Sequence, residues 1–191
     1  MFFPTTKQNN KFLISFHGKF IPLQGTIKIA LAIKELIENT NIHFRFVGDE
    51  QDFSSVHKIL SPYLSTGRLE FIPRVSLVKY SSLMKEASVI LGIFGDSEKT
   101  DRVIPNKIYE GLASGKAVIS EETTALKEIF TSDDILMIKG DIPSIAWAIN
   151  KLYTDDVLRH KLESNGLTKV KNYNPKQIGQ RLIRVIENAM I

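Results

Sequence analysis

Short, continuous apolar runs alternate along this chain with longer stretches in which apolar positions recur at helical spacing. Phe12–Phe16, Ile42–Val47, Leu69–Ile72, Val89–Phe94, Lys116–Ser120 and Ile135–Ile138 read as strands, several of them stopped by glycine, as at His17-Gly18 and Gly48-Asp49. The spacing predicts helices over Thr26–Glu38, Ser54–Leu60, Leu77–Ala87 and Asn106–Ser114. Three more are predicted over Ile142–Tyr153, Asp156–Lys171 and Pro175 to the end. In the first, Ile29, Ala32, Ile33, Leu36 and Ile37 share one face. The last carries an apolar stripe of Ile178, Leu182, Val185, Ile186 and Ala189, either core or a docking surface. Gly95 to Pro105 is polar and reads as a loop.

Strands that are apolar throughout need cover on both faces. The pattern therefore defines an α/β fold: a three-layer, doubly wound parallel sheet of about six strands, Rossmann-like. Ligands of such sheets bind outside the carboxyl ends of the strands, near a reversal of strand order. The loops that matter follow Phe16, Val47, Ile72, Phe94 and Ser120.

Length and charge narrow this further. A chain of 191 residues suits one domain. Residues 4–11 are polar, so residues 1–11 are expected to be a linker or tail and residues 12–191 the domain. Cysteine is absent, which excludes disulfides and thiolate metal sites and fits a reducing cytoplasm. His17, His43, His57 and His160 form no ligand-spaced pair, so no metal site is expected. No apolar run approaches a membrane span, and Met1-Phe2-Phe3-Pro4 lacks the features of a signal peptide. The formal charge of +4 is spread among acids, without the clustered basic face of a nucleic-acid binder. It is compatible with small anionic ligands or with peripheral contact at an anionic cytoplasmic membrane face.

Two loops carry candidate chemistry. In the first, Gly18 and Gly25 bracket Lys19 to Gln24 before a helix start, where free N–H groups and the helix dipole attract anions. The alternative is that both glycines only shape the turn. The G-x-G-x-x-G fingerprint is missing, which disfavours a dinucleotide-dependent dehydrogenase. In the second, Gly95 to Gly115, Asn106 is a candidate N-cap and Gly115 a candidate helix stop. Lys107 and Glu110 lie one turn apart, on one helix face. The ordinary fate of such a pair is a solvated ion pair worth a few tenths of a kcal/mol. Here the helix follows a fully apolar strand, so its first turn faces the ligand crevice, with Arg102 and Lys107 flanking it.

The segment Pro105-Asn106-Lys107-Ile108-Tyr109-Glu110-Gly111-Leu112-Ala113-Ser114-Gly115-Lys116-Ala117-Val118-Ile119 resembles the donor-binding helix and following strand of GT-B glycosyltransferases of the GT4 type, the glycosyl transferases group 1. Phe16-His17-Gly18 through Gln24-Gly25 is similar to their first glycine loop, and Phe46-Val47-Gly48-Asp49 to their V-G-D-G segment. The resemblance runs from about Phe12 to Ile138 and corresponds to the carboxyl-terminal half of a GT-B architecture. It implies a retaining transfer of sugar from a nucleoside diphosphate sugar, the donor substrate, with no cofactor. By that resemblance Glu110 accepts ribose hydroxyls, Gly18 lies near the donor phosphates, and Pro73, Arg74 and Val75 meet the nucleobase. Gln24, Gly48, Gly95, Asn106 and Tyr109 complete the expected donor-contacting set. Lys19, Arg102 and Lys107 are expected to stabilise the leaving diphosphate.

The departures matter. Gln24 stands where the family has lysine, removing one positive charge. Arg102 stands where the family's other motif glutamate, eight positions before Glu110, is usual, so that acid's role is dropped or falls to a neighbour such as Asp101 or Asp96. Arg102 instead supplies charge to the diphosphate, and Arg102→Ala is expected to weaken donor binding strongly. The resemblance also implies a partner: an amino-terminal acceptor-binding domain or a separate chain, without which this half transfers little or nothing. Two other classes stay open, a nucleotide-sugar 2-epimerase-like half and a non-catalytic nucleotide- or partner-binding module. Loss of donor binding in Glu110→Ala separates the enzyme readings from an interaction module. A phospho-acceptor receiver domain is disfavoured: Asp49 follows a strand, but the acidic cluster and downstream lysine of such domains do not fall in place.

Overall fold

The computed structural model describes residues 1–4, 11–38 and 40–190. In chain order the elements are β1 (Leu13–His17), α1 (Thr26–Leu36), β2 (His43–Val47), α2 (Phe53–Leu60), β3 (Leu69–Ile72), α3 (Leu77–Glu86), β4 (Val89–Leu91), α4 (Glu98–Asp101), α5 (Asn106–Ala113), β5 (Ala117–Glu121), α6 (Thr124–Ile129), β6 (Leu136–Ile138), α7 (Ile142–Thr154), α8 (Asp156–Val170) and α9 (Pro175–Ala189). All strand pairs are parallel, in the order β3-β2-β1-β4-β5-β6. The order reverses between β1 and β4, which opens a crevice at their carboxyl ends.

Alternation within the strands explains the three layers. Val89, Leu91, Ala117 and Ile119 join one buried cluster with Phe16, Ile29, Ile33, Ile145 and Ile149. Their neighbours Ile90 and Val118 join another on the opposite face, with Met84, Ile108, Leu112 and Ile135. Gly111 lets α5 press onto that second face, since a Cβ there would lie 3.3 Å from side chains of Ile90 and Val118.

Three local expectations are corrected. The fourth strand ends at Leu91 instead of Phe94. Ile93 and Phe94 stay buried, but the chain bends away to meet the first loop, with the Phe94 N–H donating to the Gln24 carbonyl at 3.3 Å. The polar stretch after Gly95 holds the short α4, capped by Ser97, whose hydroxyl accepts from the Thr100 N–H. Between β5 and β6 lies α6, capped by Thr123, whose hydroxyl accepts from the Leu126 N–H at 3.1 Å. It is a short helix whose Leu126 and Ile129 join the second cluster, too brief for its apolar spacing to stand out in the sequence.

Residues 5–10 of the expected linker lie outside the described residues. Residues 1–4 pack on the domain: the Ser81 hydroxyl donates to the Met1 carbonyl at 2.9 Å, and Phe2 sits edge-on to Tyr80. The stripe on α9 is exposed at Ile178, Leu182, Val185 and Ile186. Among the described residues, no helix is long and apolar enough to cross a membrane.

Candidate functional site

The first three loops are stitched together by backbone. The Gly18 N–H donates to the Val47 carbonyl, and the Gly48 N–H to the Ile72 carbonyl, both at 2.9 Å. Gly48 has φ +136°, and a Cβ on it would lie 1.9 Å from the Gly18 carbonyl oxygen, so no side chain fits. Gly25 has φ +66°, and its Cβ would lie 2.4 Å from the Phe94 carbonyl oxygen. Gly95 approaches Leu23 just as closely. The two glycine-containing loops at the β1/β4 switch point are thus locked backbone to backbone.

Under this seam runs Lys107. Its side chain comes from the first turn of α5, is 4% exposed and passes beneath the first loop. Nζ lies 3.7 Å from the centroid of the Phe16 ring, and a Cβ on Gly18 would lie 3.5 Å from it. Among the described residues Nζ has no hydrogen-bond partner. Burial holds its pKa well below the lysine value, against the attraction of Glu110. This is not the solvated ion pair that such spacing ordinarily gives. It is a buried amine beside the Gly18 loop, without a hydrogen-bond partner among the described residues.

Glu110 is half-buried one turn further on. Its Oε2 accepts from the Tyr80 hydroxyl at 3.0 Å. Burial raises the carboxyl pKa, while the Tyr80 hydrogen bond and then Lys107 pull it back. Burial, followed by the Glu110 charge and hydrogen bond, pushes the Tyr80 phenol far up, so it stays protonated. His17 stacks edge-on to Tyr80 with ring centroids 4.8 Å apart. Burial, then the charges of Lys107 and Arg45, lowers His17 to about 3, so it is a neutral ring sharing a 2.8 Å hydrogen bond with Ser15.

Beside these groups is a cleft of about 200 Å³. Gly18 and Lys19 of the first loop line it, with Val47 to Glu50 of the second, Arg74 and Val75 of the third, and Tyr80. A wider cleft of about 340 Å³ lies at the opposite, amino-terminal end of the strands. Its arginines are already satisfied, Arg45 by Glu70 and Glu86 and Arg68 by the Thr40 carbonyl, so the chemistry favours the smaller one.

The remaining candidates are distributed as follows. Gly18, Lys19, Gly48, Arg74 and Val75 converge on the smaller cleft, with Pro73 exposed at its edge. Lys19 is 64% exposed and pairs with Glu50 at 2.7 Å. Arg102 is 74% exposed and pairs with Glu98 at 3.0 Å, away from the buried Lys107 and the half-buried Glu110. Gln24 has a buried Oε1 without a partner among the described residues. Asn106 is exposed and is the first helical residue, the N-cap position falling on Pro105. Tyr109 packs on Phe130 in the second cluster, and also against Tyr173. Asp96 is paired with Lys28, and Asp101 accepts from the Thr124 N–H at 2.7 Å, so both acids near the missing motif position are engaged. Three further polar groups were not anticipated: His17, Tyr80, and Glu121, whose Oε2 is buried against Gly140 without a partner. Among the described residues, no group of three or more histidines and acids could hold a metal ion.

Strand order, crevice and glycine-locked loops define a Rossmann-like domain of the kind found in GT-B glycosyltransferases. The chain belongs to the glycosyl transferases group 1, whose family profile matches residues 1–169. No curated protein matches the sequence. Among solved structures, HepE of Anabaena in complex with UDP-glucose has a TM-score of 0.77 at 16% identity, over 94% of this chain and 49% of that one. The C-terminal domain of LpcC, a group 1 glycosyl transferase of Francisella tularensis, gives 0.74 at 18% identity, over 90% and 94%. Sucrose-phosphate synthase of Thermosynechococcus elongatus gives 0.80 at 16% identity, over 99% and 50%. At such identities the likeness is one of fold. The chain spans about half the length of HepE and of the synthase.

Proposed function

We propose that this chain is the donor-binding half of a retaining glycosyltransferase of the GT4 type. It holds a nucleoside diphosphate sugar across the β1/β4 crevice, and the acceptor is presented by an amino-terminal domain or a separate chain. The observation that carries this reading is Lys107, whose buried amine lies against the Gly18 loop with no hydrogen-bond partner among the described residues. Glu110 beside it offers a carboxylate to the ribose diol. Arg74 and Val75 receive the base, and Lys19 and Arg102 add charge at the rim. As the anomeric bond breaks, charge accumulates on the leaving diphosphate. Fixed cations aimed there lower that barrier more than they stabilise the bound donor. HepE, in a structure of the same fold, binds UDP-glucose and UDP, which supports a nucleoside diphosphate as the ligand class. The reading sets the protein in the cytoplasm, where such donors occur, in the synthesis of polysaccharides.

The test is calorimetric titration of the chain with UDP-, GDP-, ADP- and CMP-linked sugars. Saturable binding of one of them, lost in Glu110→Ala, is expected. Silence across the panel would leave an interaction module as the better reading.

A further inference from the structure

Tyr80 reaches Glu110 from a different element, α3, and its ring packs edge-on against two others. It meets His17 at 4.8 Å between centroids and 83° between planes, and Phe2 at 6.2 Å and 89°. Phe2 is itself held by the 2.9 Å hydrogen bond from Ser81 to the Met1 carbonyl next to it. The ring sends its hydroxyl to a single atom, Glu110 Oε2, at 3.0 Å. Oε1 of the same carboxylate has no hydrogen-bond partner among the described residues and is not sealed from solvent.

We propose that Tyr80 is a positioning residue for ligand recognition: by occupying Oε2 it fixes the Glu110 carboxylate in one rotation and presents Oε1 to a ribose hydroxyl. The proposal rests on the nucleotide reading above and adds a specificity determinant to it. A carboxylate on a two-bond stem ordinarily samples several rotations, and part of any hydrogen bond to a ligand is lost in ordering it. A phenol already bound to one oxygen removes that loss. Neighbouring groups do not compete for the role. His17 is neutral and turned to Ser15, and Lys107 runs under the first loop towards Phe16. The phenol stays protonated at any working pH, so it acts only as a donor.

The test compares the wild type with Tyr80→Phe, which keeps the ring against His17 and Phe2, by titrating UDP, GDP and ADP and their 2′,3′-dideoxy counterparts. Thermal melting confirms that the variant folds. For the nucleotide that binds, Tyr80→Phe is expected to lose about tenfold or more in affinity, the loss typical of a hydrogen bond to a charged group. The dideoxy form should change by less than about threefold. In the wild type, the advantage of the ribonucleotide over its dideoxy form should fade as pH drops and Glu110 takes a proton. That fading should begin at higher pH in the variant, which lacks the phenol's stabilisation of the carboxylate. Equal losses for both nucleotides, or an unmoved pH profile, overturn the positioning role and leave the nucleotide reading intact. Absence of wild-type binding to every nucleotide overturns both.

Discussion

Lys107 Nζ stands 3.7 Å above the face of the Phe16 ring, buried beneath the first glycine loop. The ring face is an electrostatic partner for an ammonium group, though a weaker one than an anion. The arrangement is adverse for stability and useful for binding, so the two should move in opposite directions on mutation. Lys107→Met, which keeps the stem's volume, is expected to raise stability by roughly 0.5–2 kcal/mol. The same change should weaken nucleoside diphosphate binding by about thirtyfold or more, the scale for removing one member of a buried charge pair. Denaturant unfolding and titration calorimetry check both halves. A variant that is less stable and binds normally would assign Lys107 to structure alone.

The depressed pKa of Lys107 makes a signed prediction about pH. Between that lowered value and the ordinary 10.5, the unfolded chain holds more protons than the folded one. Stability should therefore rise with pH through this window, and Lys107→Met should flatten the slope. Ligand binding carries the opposite sign. A diphosphate beside Nζ favours the charged form, so binding takes up protons and weakens as pH rises. Calorimetry in buffers of different ionisation enthalpy counts those protons. No uptake in the wild type, or the same uptake in Lys107→Met, would remove Lys107 from the account.

How much of this was legible in the sequence follows from the range of the interactions. Strands such as Val89–Leu91 are apolar on both faces because two clusters share their alternating residues, and such runs are visible in any window. The helix with Lys107 and Glu110 one turn apart was equally visible, since both sit on one element. The burial of Lys107 was not, because it depends on the Phe16 ring and the Gly18 loop, which only the fold brings over it. The bond from Tyr80 to Glu110 spans thirty positions and two helices, and no local pattern signals it. The short α6 was hidden for another reason: its six residues carry only Leu126 and Ile129 into the core, and its start is set by the Thr123 cap and by Asp101 on the Thr124 N–H.

Gly48 offers a test of the locked loops that leaves every charged group in place. An alanine there must adopt φ near +136° and put its Cβ 1.9 Å from the Gly18 carbonyl oxygen. The dihedral alone costs roughly 1–3 kcal/mol, and relief of the clash must push the first loop away from the second. Gly48→Ala is expected to lower the melting temperature and to weaken diphosphate binding together. Gly67→Ala is the control, with φ +66° but nothing within 4 Å of its Cβ, so it should destabilise and leave binding unchanged. Equal binding in both variants would mean that the Gly18–Gly48 contact does not shape the site.

The three proposed diphosphate cations differ most in exposure, and salt should separate them. Arg102 and Lys19 are mostly exposed and already neutralised by Glu98 and Glu50, whereas Lys107 is buried. Charges in water are screened beyond about 10 Å at 0.1 M salt and about 3 Å at 1 M, while buried charges are screened much less. Arg102→Ala and Lys19→Ala should each weaken binding at low salt, and the deficit should shrink towards nothing near 1 M. The deficit of Lys107→Met should persist across the same range. If Arg102→Ala keeps its full deficit at high salt, the guanidinium contacts the ligand directly after leaving Glu98, and its role rises to that of Lys107.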